Sequence, residues 1–210
     1  MLAPRQLGDI PESPTVFVSS TVYGKEDLLT RISALMSNFG YTVWMSADGS
    51  MPVRPGLGAM ETCIRAVEDC DIFFGVISQT YGSGVIPGQQ SITHREFLRA
   101  IELEKPRWML AHRNVVLART LLRDLGHSTR EERHEHCELR RGSSVIDHLG
   151  LVDLYEDATR EDLPVEERTG NWVQQYSNEQ DVLKFVGNQF QDIEQVRRFL
   201  IETERKDGQP

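Results

Sequence analysis

Long apolar runs are what this 210-residue chain most clearly lacks. No segment approaches the roughly 20 consecutive apolar residues that a membrane-spanning helix needs, so no membrane partner is expected. The opening residues, MLAPRQLGD, carry no apolar core of the kind that directs secretion. Cysteine is scarce, and Cys63, Cys70 and Cys137 form an odd set. Such a set argues against a disulfide framework and suits a reducing compartment, so a cytoplasmic location is expected. Positive charge is also short: 23 Lys and Arg stand against 32 Asp and Glu, a formal net charge of −9. That sign argues against holding nucleic acid by overall charge, and no nucleic-acid partner is expected. Two phosphate-binding fingerprints are missing as well, GxxxxGKS/T and GxGxxG. Their absence disfavours a conventional NTPase or a dinucleotide-dependent dehydrogenase. Neither an internal repeat nor a low-complexity tract is present.

What remains is an ordinary globular composition, 39% hydrophobic and 26% charged. The length fits one domain. Pro14-Thr-Val-Phe-Val-Ser-Ser20 reads as a buried strand. Leu28, Leu29, Ile32, Leu35, Met36 and Phe39 then trace one helical face, closed by Gly40. Tyr41–Met45 predicts a second strand, and Leu57, Met60, Ile64 and Val67 a second helix running to Cys70. Asp71–Ser78 is the most apolar stretch and predicts a central strand. After a Gly- and Pro-bearing loop at Tyr81–Gln90, a helix is expected from Ser91–Thr93, and Arg107–Ala111 predicts a fourth strand.

Beyond that point Val115–Leu125 predicts a helix, and Thr129–Gly142 a charged solvated helix or mobile excursion. Leu151–Tyr155 and Asn171–Tyr176 predict edge strands, with Glu156–Arg168 a loop between them. Ser177 and Gln180 have capping-box form ahead of one long terminal helix carrying Val182, Val186, Ile193, Val196 and Leu200. Strands that alternate with helices and read as continuous apolar runs predict an α/β fold. The expected architecture is a flavodoxin-like, doubly wound, mostly parallel sheet of about five strands with helices on both faces. Residues 1–13 form an extension, 14–204 the domain and 205–210 a tail. Within the domain, 14–111 is the core, about 127–142 a charged insertion and about 178–204 the terminal helix.

In such sheets a ligand sits beyond the carboxyl ends of the strands. That rule selects Ser19-Ser20-Thr21, Ser46-Ala47-Asp48, Gln79–Gly82 and the residues after Ala111, and excludes Asp71 at the opposite edge. Ser91-Ile-Thr-His-Arg-Glu-Phe97 places a carboxylate, Glu96, in the first turn of the helix after the pocket loop. Thr93-x-x-Glu96 also fits a capping box, in which Glu96 accepts the Thr93 N–H and does nothing else. Spacing leaves both readings open. His134-Glu-His-Cys137, with His127 upstream, invites zinc but matches no familiar ligand spacing, and no metal is expected.

Several of these segments, in order, resemble a known family. Val16-Phe-Val-Ser-Ser-Thr21, Val67-Glu-Asp-Cys-Asp-Ile-Phe73, Tyr81-Gly82, Ser91-Ile-Thr-x-x-Glu96-Phe97 and Glu104-Lys-Pro106 are similar to the family catalogued as domain of unknown function 4062. That family's superfamily holds TIR (Toll/interleukin-1 receptor) domains and nucleoside deoxyribosyltransferases. The resemblance covers residues 14–111, and the family's acidic helix start is altered here to Val22-Tyr-Gly-Lys-Glu26. It implies cleavage of an N-glycosidic bond, with Glu96 as the matching catalytic glutamate. Substrate-binding positions would be Ser19, Ser20, Thr21, Asp48, Tyr81, Gly82, Ser91 and Thr93. Each has a plainer reading: Ser19–Thr21 as helix caps, Tyr81 and Trp44 as core packing, Ser91 and Thr93 as a helix start, Arg95 as a solvent-facing cation.

Three functions follow from the resemblance. The first is an NAD glycohydrolase or ADP-ribosyl cyclase in bacterial antiviral defence, with NAD as substrate and no cofactor. It would act by self-association or with a partner defence protein. The second is a nucleoside or nucleotide N-glycosidase or deoxyribosyltransferase, which needs an acid for the base, with Asp48 the available candidate. The third is a non-catalytic interaction scaffold, favoured if Glu96 is only a cap.

Overall fold

Five short β-branched and aromatic runs form one sheet, and each pairs with its neighbour in parallel. In this computed structural model, which describes residues 11–21, 26–82 and 89–207, they are β1 (Thr15–Ser20), β2 (Thr42–Trp44), β3 (Ile72–Ile77), β4 (Arg107–His112) and β5 (Val173–Tyr176). The order is β2-β1-β3-β4-β5, the flavodoxin-like doubly wound arrangement, with the reversal between β1 and β3. β3 is buried along its whole length, as a central strand covered on both faces must be.

Alternation along the strands assigns the two faces. Val16, Val18, Ile72, Phe74 and Val76 point into one core with α1 (Glu26–Asn38), α7 (Glu179–Phe190) and α8 (Ile193–Asp207). Phe17, Phe73, Ile77, Met109 and Ala111 point into the other, under α2 (Ala59–Asp69), α3 (Ile92–Glu102), α4 (Arg113–Asp124) and α6 (Gly150–Thr159). Gly75 sets the depth of α3. A Cβ there would stand 2.3 Å from the Phe97 ring, so only glycine lets that ring lie on the strand. Phe97 also packs edge-on to Phe73, with centroids 5.0 Å apart.

The second half departs from expectation in four places. Leu151–Tyr155 is not an edge strand but part of α6, buried from Gly150 to Tyr155 and again at Ala158. So short a segment shows no clear period; here its residues are the buried side of a helix lying on the sheet. The same helix takes the first residues of the expected Glu156–Arg168 loop, which otherwise holds turns and a single 3-10 turn at Val165–Glu167. The charged stretch does carry a helix, one of its two expected forms, but α5 (Arg130–His136) is docked by a fully buried Arg133 instead of standing free in solvent. The C-terminal helix is divided in two. Asp192 interrupts the periodic run, and its carboxylate accepts the Gln195 N–H at 3.0 Å, starting α8 afresh. At the head of α7, Asn178 and Asp181 form the capping box, not Ser177 and Gln180. β5 does lie at the sheet edge, as Asn171–Tyr176 predicts. No helix among the described residues is long and apolar enough to cross a membrane.

Candidate functional site

The reversal between β1 and β3 leaves room between the loops at their carboxyl ends, and a cleft of about 380 Å³ opens there. The first turn of α3 forms one side. Its cap is Ser91, whose Oγ accepts the His94 N–H at 3.2 Å while its own backbone stays extended. The cap therefore lies two residues before Thr93, and the capping box read from Thr93 and Glu96 is corrected. Glu96 is released from that duty. Its Oε2 accepts the Ser19 hydroxyl at 2.5 Å, and the Cys63 thiol of α2 stands beside it.

Glu96 is 4% exposed and lines the cleft. Burial raises its carboxyl above the ordinary glutamate value, against the lowering pull of Ser19 and Cys63. Burial and the adjacent carboxylate push the Cys63 thiol up to about 12, which keeps it a thiol rather than a thiolate. No lysine, arginine or histidine lines the cleft among the described residues; its other ionisable group is Glu26 of α1. Hydroxyls of Ser20, Thr21, Ser46 and Thr93 complete the polar surface.

The expected positions divide. Glu96, Ser20, Thr21, Gly82 and Thr93 come together around the cleft. Thr21 is pinned into the wall: the Ser78 N–H donates to its Oγ1 at 2.6 Å, and Thr80 Oγ1 donates to its carbonyl at 2.7 Å. Thr93 Oγ1 donates to the Ser20 carbonyl at 3.3 Å. Gly82, at φ +91°, faces that hydroxyl, and a Cβ would approach it to 3.3 Å. Ser19 serves Glu96 instead of lining the cleft, and Ser91 caps α3 and bonds the Tyr81 hydroxyl.

Two residues lie elsewhere. Asp48 sits in an exposed turn with its Oδ1 accepting the Ser50 N–H at 2.9 Å, although Met45, Ser46 and Ala47 before it do line the cleft. Tyr81 is buried behind the wall, its ring stacked on His148 and its hydroxyl against His94. The chain after Ala111 adds no lining residue. Trp44 packs on the core. Arg95 donates to Gln89 and lies against the Met60 sulfur.

Sequence reasoning missed Cys63 and Glu26 as cleft residues. The available signal for Cys63 was its place four residues before Val67, on the apolar face of α2. His134 pairs with Asp153 at 2.6 Å, and among the described residues no cluster of three or more His, Cys, Asp or Glu is arranged to hold a metal.

With this geometry in view, comparison with known proteins adds one finding. A family model described as "Domain of unknown function (DUF4062)" matches residues 15–191. No curated protein and no solved structure matches.

Proposed function

The chain belongs to the DUF4062 family, and from that premise and its cleft we propose a TIR-like N-glycosidase that cleaves the nicotinamide–ribose bond of NAD by hydrolysis or cyclisation. One observation carries the reading. A carboxylate that could have capped its own helix is instead held by Ser19 at the wall of a cleft at the sheet's switch point.

The chemistry suits a lone carboxylate. NAD carries a cationic nicotinamide that leaves neutral, so no acid need protonate it. What needs a partner is the oxocarbenium character that builds at the anomeric carbon. Burial makes Glu96 costly to ionise while the cleft is empty, and the same low dielectric strengthens its attraction to a cation beside it. The hydroxyls and carboxylates that line the cleft, with no cation among the described residues, suit a sugar and a positively charged ring. The pyrophosphate falls to backbone dipoles at the positive start of α3, where Ile92 and Thr93 face the cleft. A net charge of −9 offers it no general attraction.

The alternatives lose their particular support. Release of a neutral base called on Asp48 as acid, and Asp48 lies outside the cleft lining. A pure scaffold was favoured by a capping role for Glu96, and Ser91 takes that role. The test is nicotinamide release from NAD by concentrated purified protein, with Glu96→Gln beside it. Glu96→Gln is expected to lose about a hundredfold or more, the usual effect of removing a transition-state charge partner. No release by the wild type under any assembly condition ends the glycosidase reading. Equal release by Glu96→Gln ends the assignment of Glu96.

A further inference from the structure

A second set of buried polar groups lies behind the cleft, and it joins the site to the charged helix α5. Tyr81 precedes Gly82 in the wall. Its N–H donates to Asp147 Oδ1 at 2.9 Å, and its ring lies flat on His148 with centroids 4.4 Å apart. Its hydroxyl stands 2.6 Å from Nδ1 of His94, which is 1% exposed. The opposite nitrogen, His94 Nε2, is 2.7 Å from Asp157 Oδ2 on α6. Asp157 Oδ1 in turn accepts from Arg130 of α5 at 2.8 Å.

The chemistry of these groups settles who donates. Burial alone would raise the Asp157 carboxyl, but His94 and Arg130 outweigh it and hold it below its ordinary value, so it is ionised and accepts. Nε2–H therefore donates to Asp157. The Tyr81 hydroxyl lies on the opposite nitrogen, and an Nδ1 that accepts its O–H completes the chain from Asp157 to the wall. The same residue supplies the N–H that Ser91 caps, and it sits two positions before Glu96 on α3. His94 thus ties the helix bearing Glu96 to the loop bearing Gly82, and Ser91 at the same helix start also bonds the Tyr81 hydroxyl.

We propose that His94, oriented by Asp157, is a positioning residue: through Tyr81 it holds the Gly82 wall at a set distance from Glu96. It touches no substrate. Its kinetic consequence rests on the glycosidase reading above, whereas its structural consequence does not.

The experiment separates the two. Nitrogen-15 NMR of the ligand-free protein is expected to show His94 with a bare Nδ1 and a protonated Nε2. Asp157→Asn, whose amide can donate to Nε2, is expected to invert that tautomer. Tyr81→Phe keeps the stacked ring and removes only the hydroxyl. In both variants the Gly82 amide is expected to exchange with solvent about fivefold faster or more, while central β3 amides do not change. Where the wild type releases nicotinamide, each variant is expected to raise KM for NAD about fivefold with kcat within about twofold, and the double variant to do no worse than the stronger single. A protonated Nδ1 in the wild type overturns the proposal. So does Gly82 exchange that neither variant moves, which leaves His94 as a core residue with satisfied bonds. Absence of nicotinamide release ends only the glycosidase reading, because tautomer and exchange are read without it.

Discussion

Glu96 and Arg133 are both buried charged side chains, 4% and 0% exposed, and the molecule treats them in opposite ways. Glu96 has a hydroxyl and a thiol for company and no cation among the described residues, so burial raises its carboxyl. Arg133 lies between Asp153 at 2.9 Å and Glu156 at 2.5 Å, and these carboxylates raise its value despite burial, which alone would lower it. Glu156 also accepts from Arg119, and Arg130 and His134 reach Asp153 and Asp157, so the α5–α6 contact is a network of mutually paired charges. Paired charges docked between helices are a structural clasp. A carboxylate buried without a counter-ion beside an open cleft is one that a cationic ligand can complete.

The largest effect that would break this contrast is in the clasp. Arg133→Met removes one cation and leaves Asp153 and Glu156 short of a partner, an expected loss of about 3–5 kcal/mol in urea denaturation. A loss below about 1 kcal/mol would mean that the network is replaceable by simple packing. Glu96→Gln should behave the other way. Its melting temperature is expected to hold or rise, because a neutral amide of the same shape relieves the burial of a charge, even as nicotinamide release collapses. A marked fall in melting temperature would make Glu96 structural.

The smallest expected effect is in pH. Glu96 has its folded value raised, so its contribution to stability is complete below the ordinary carboxylate value and is lost as pH rises through the folded value. The proposed glycosidase would need the ionised form, so nicotinamide release should increase through that same interval. Thermal melts and pH–rate profiles between about pH 4 and 7 are expected to run in opposite directions, with the acid limb above the free glutamate value of about 4.3. Glu96→Gln should flatten its share of the stability trend. A rate profile with its limb at the free value would remove burial as the tuning device.

Legibility in the sequence followed the strength of local signals. β1, β3 and β4 announce themselves as β-branched or aromatic runs bounded by polar residues, and α1 and α2 by their period. The sheet rule then pointed to an edge where a cleft opens, and five of the nine proposed site residues line it. The α3 cap was less legible because Ser91 and Thr93 both offer a hydroxyl of suitable type; the extended backbone at Ser91 decides, and that depends on how the preceding loop meets the sheet. Tyr81 could stack on a ligand or pack, and the choice was made by His148 and His94, 67 and 13 residues away in the chain. Leu151–Tyr155 was misread because four apolar residues around Asp153 are compatible with either element.

By itself, then, the sequence determined the alternation of strands and helices, the two-faced sheet and the edge at which the cleft opens, since period and turn chemistry are local properties. Only the tertiary structure decided that Glu96 turns to Ser19 instead of its own helix terminus, that Cys63 stands beside it, and that α5 is clasped by buried charges. Those outcomes depend on which side chains distant in sequence arrive within hydrogen-bonding reach, and on how much water the packing leaves around them.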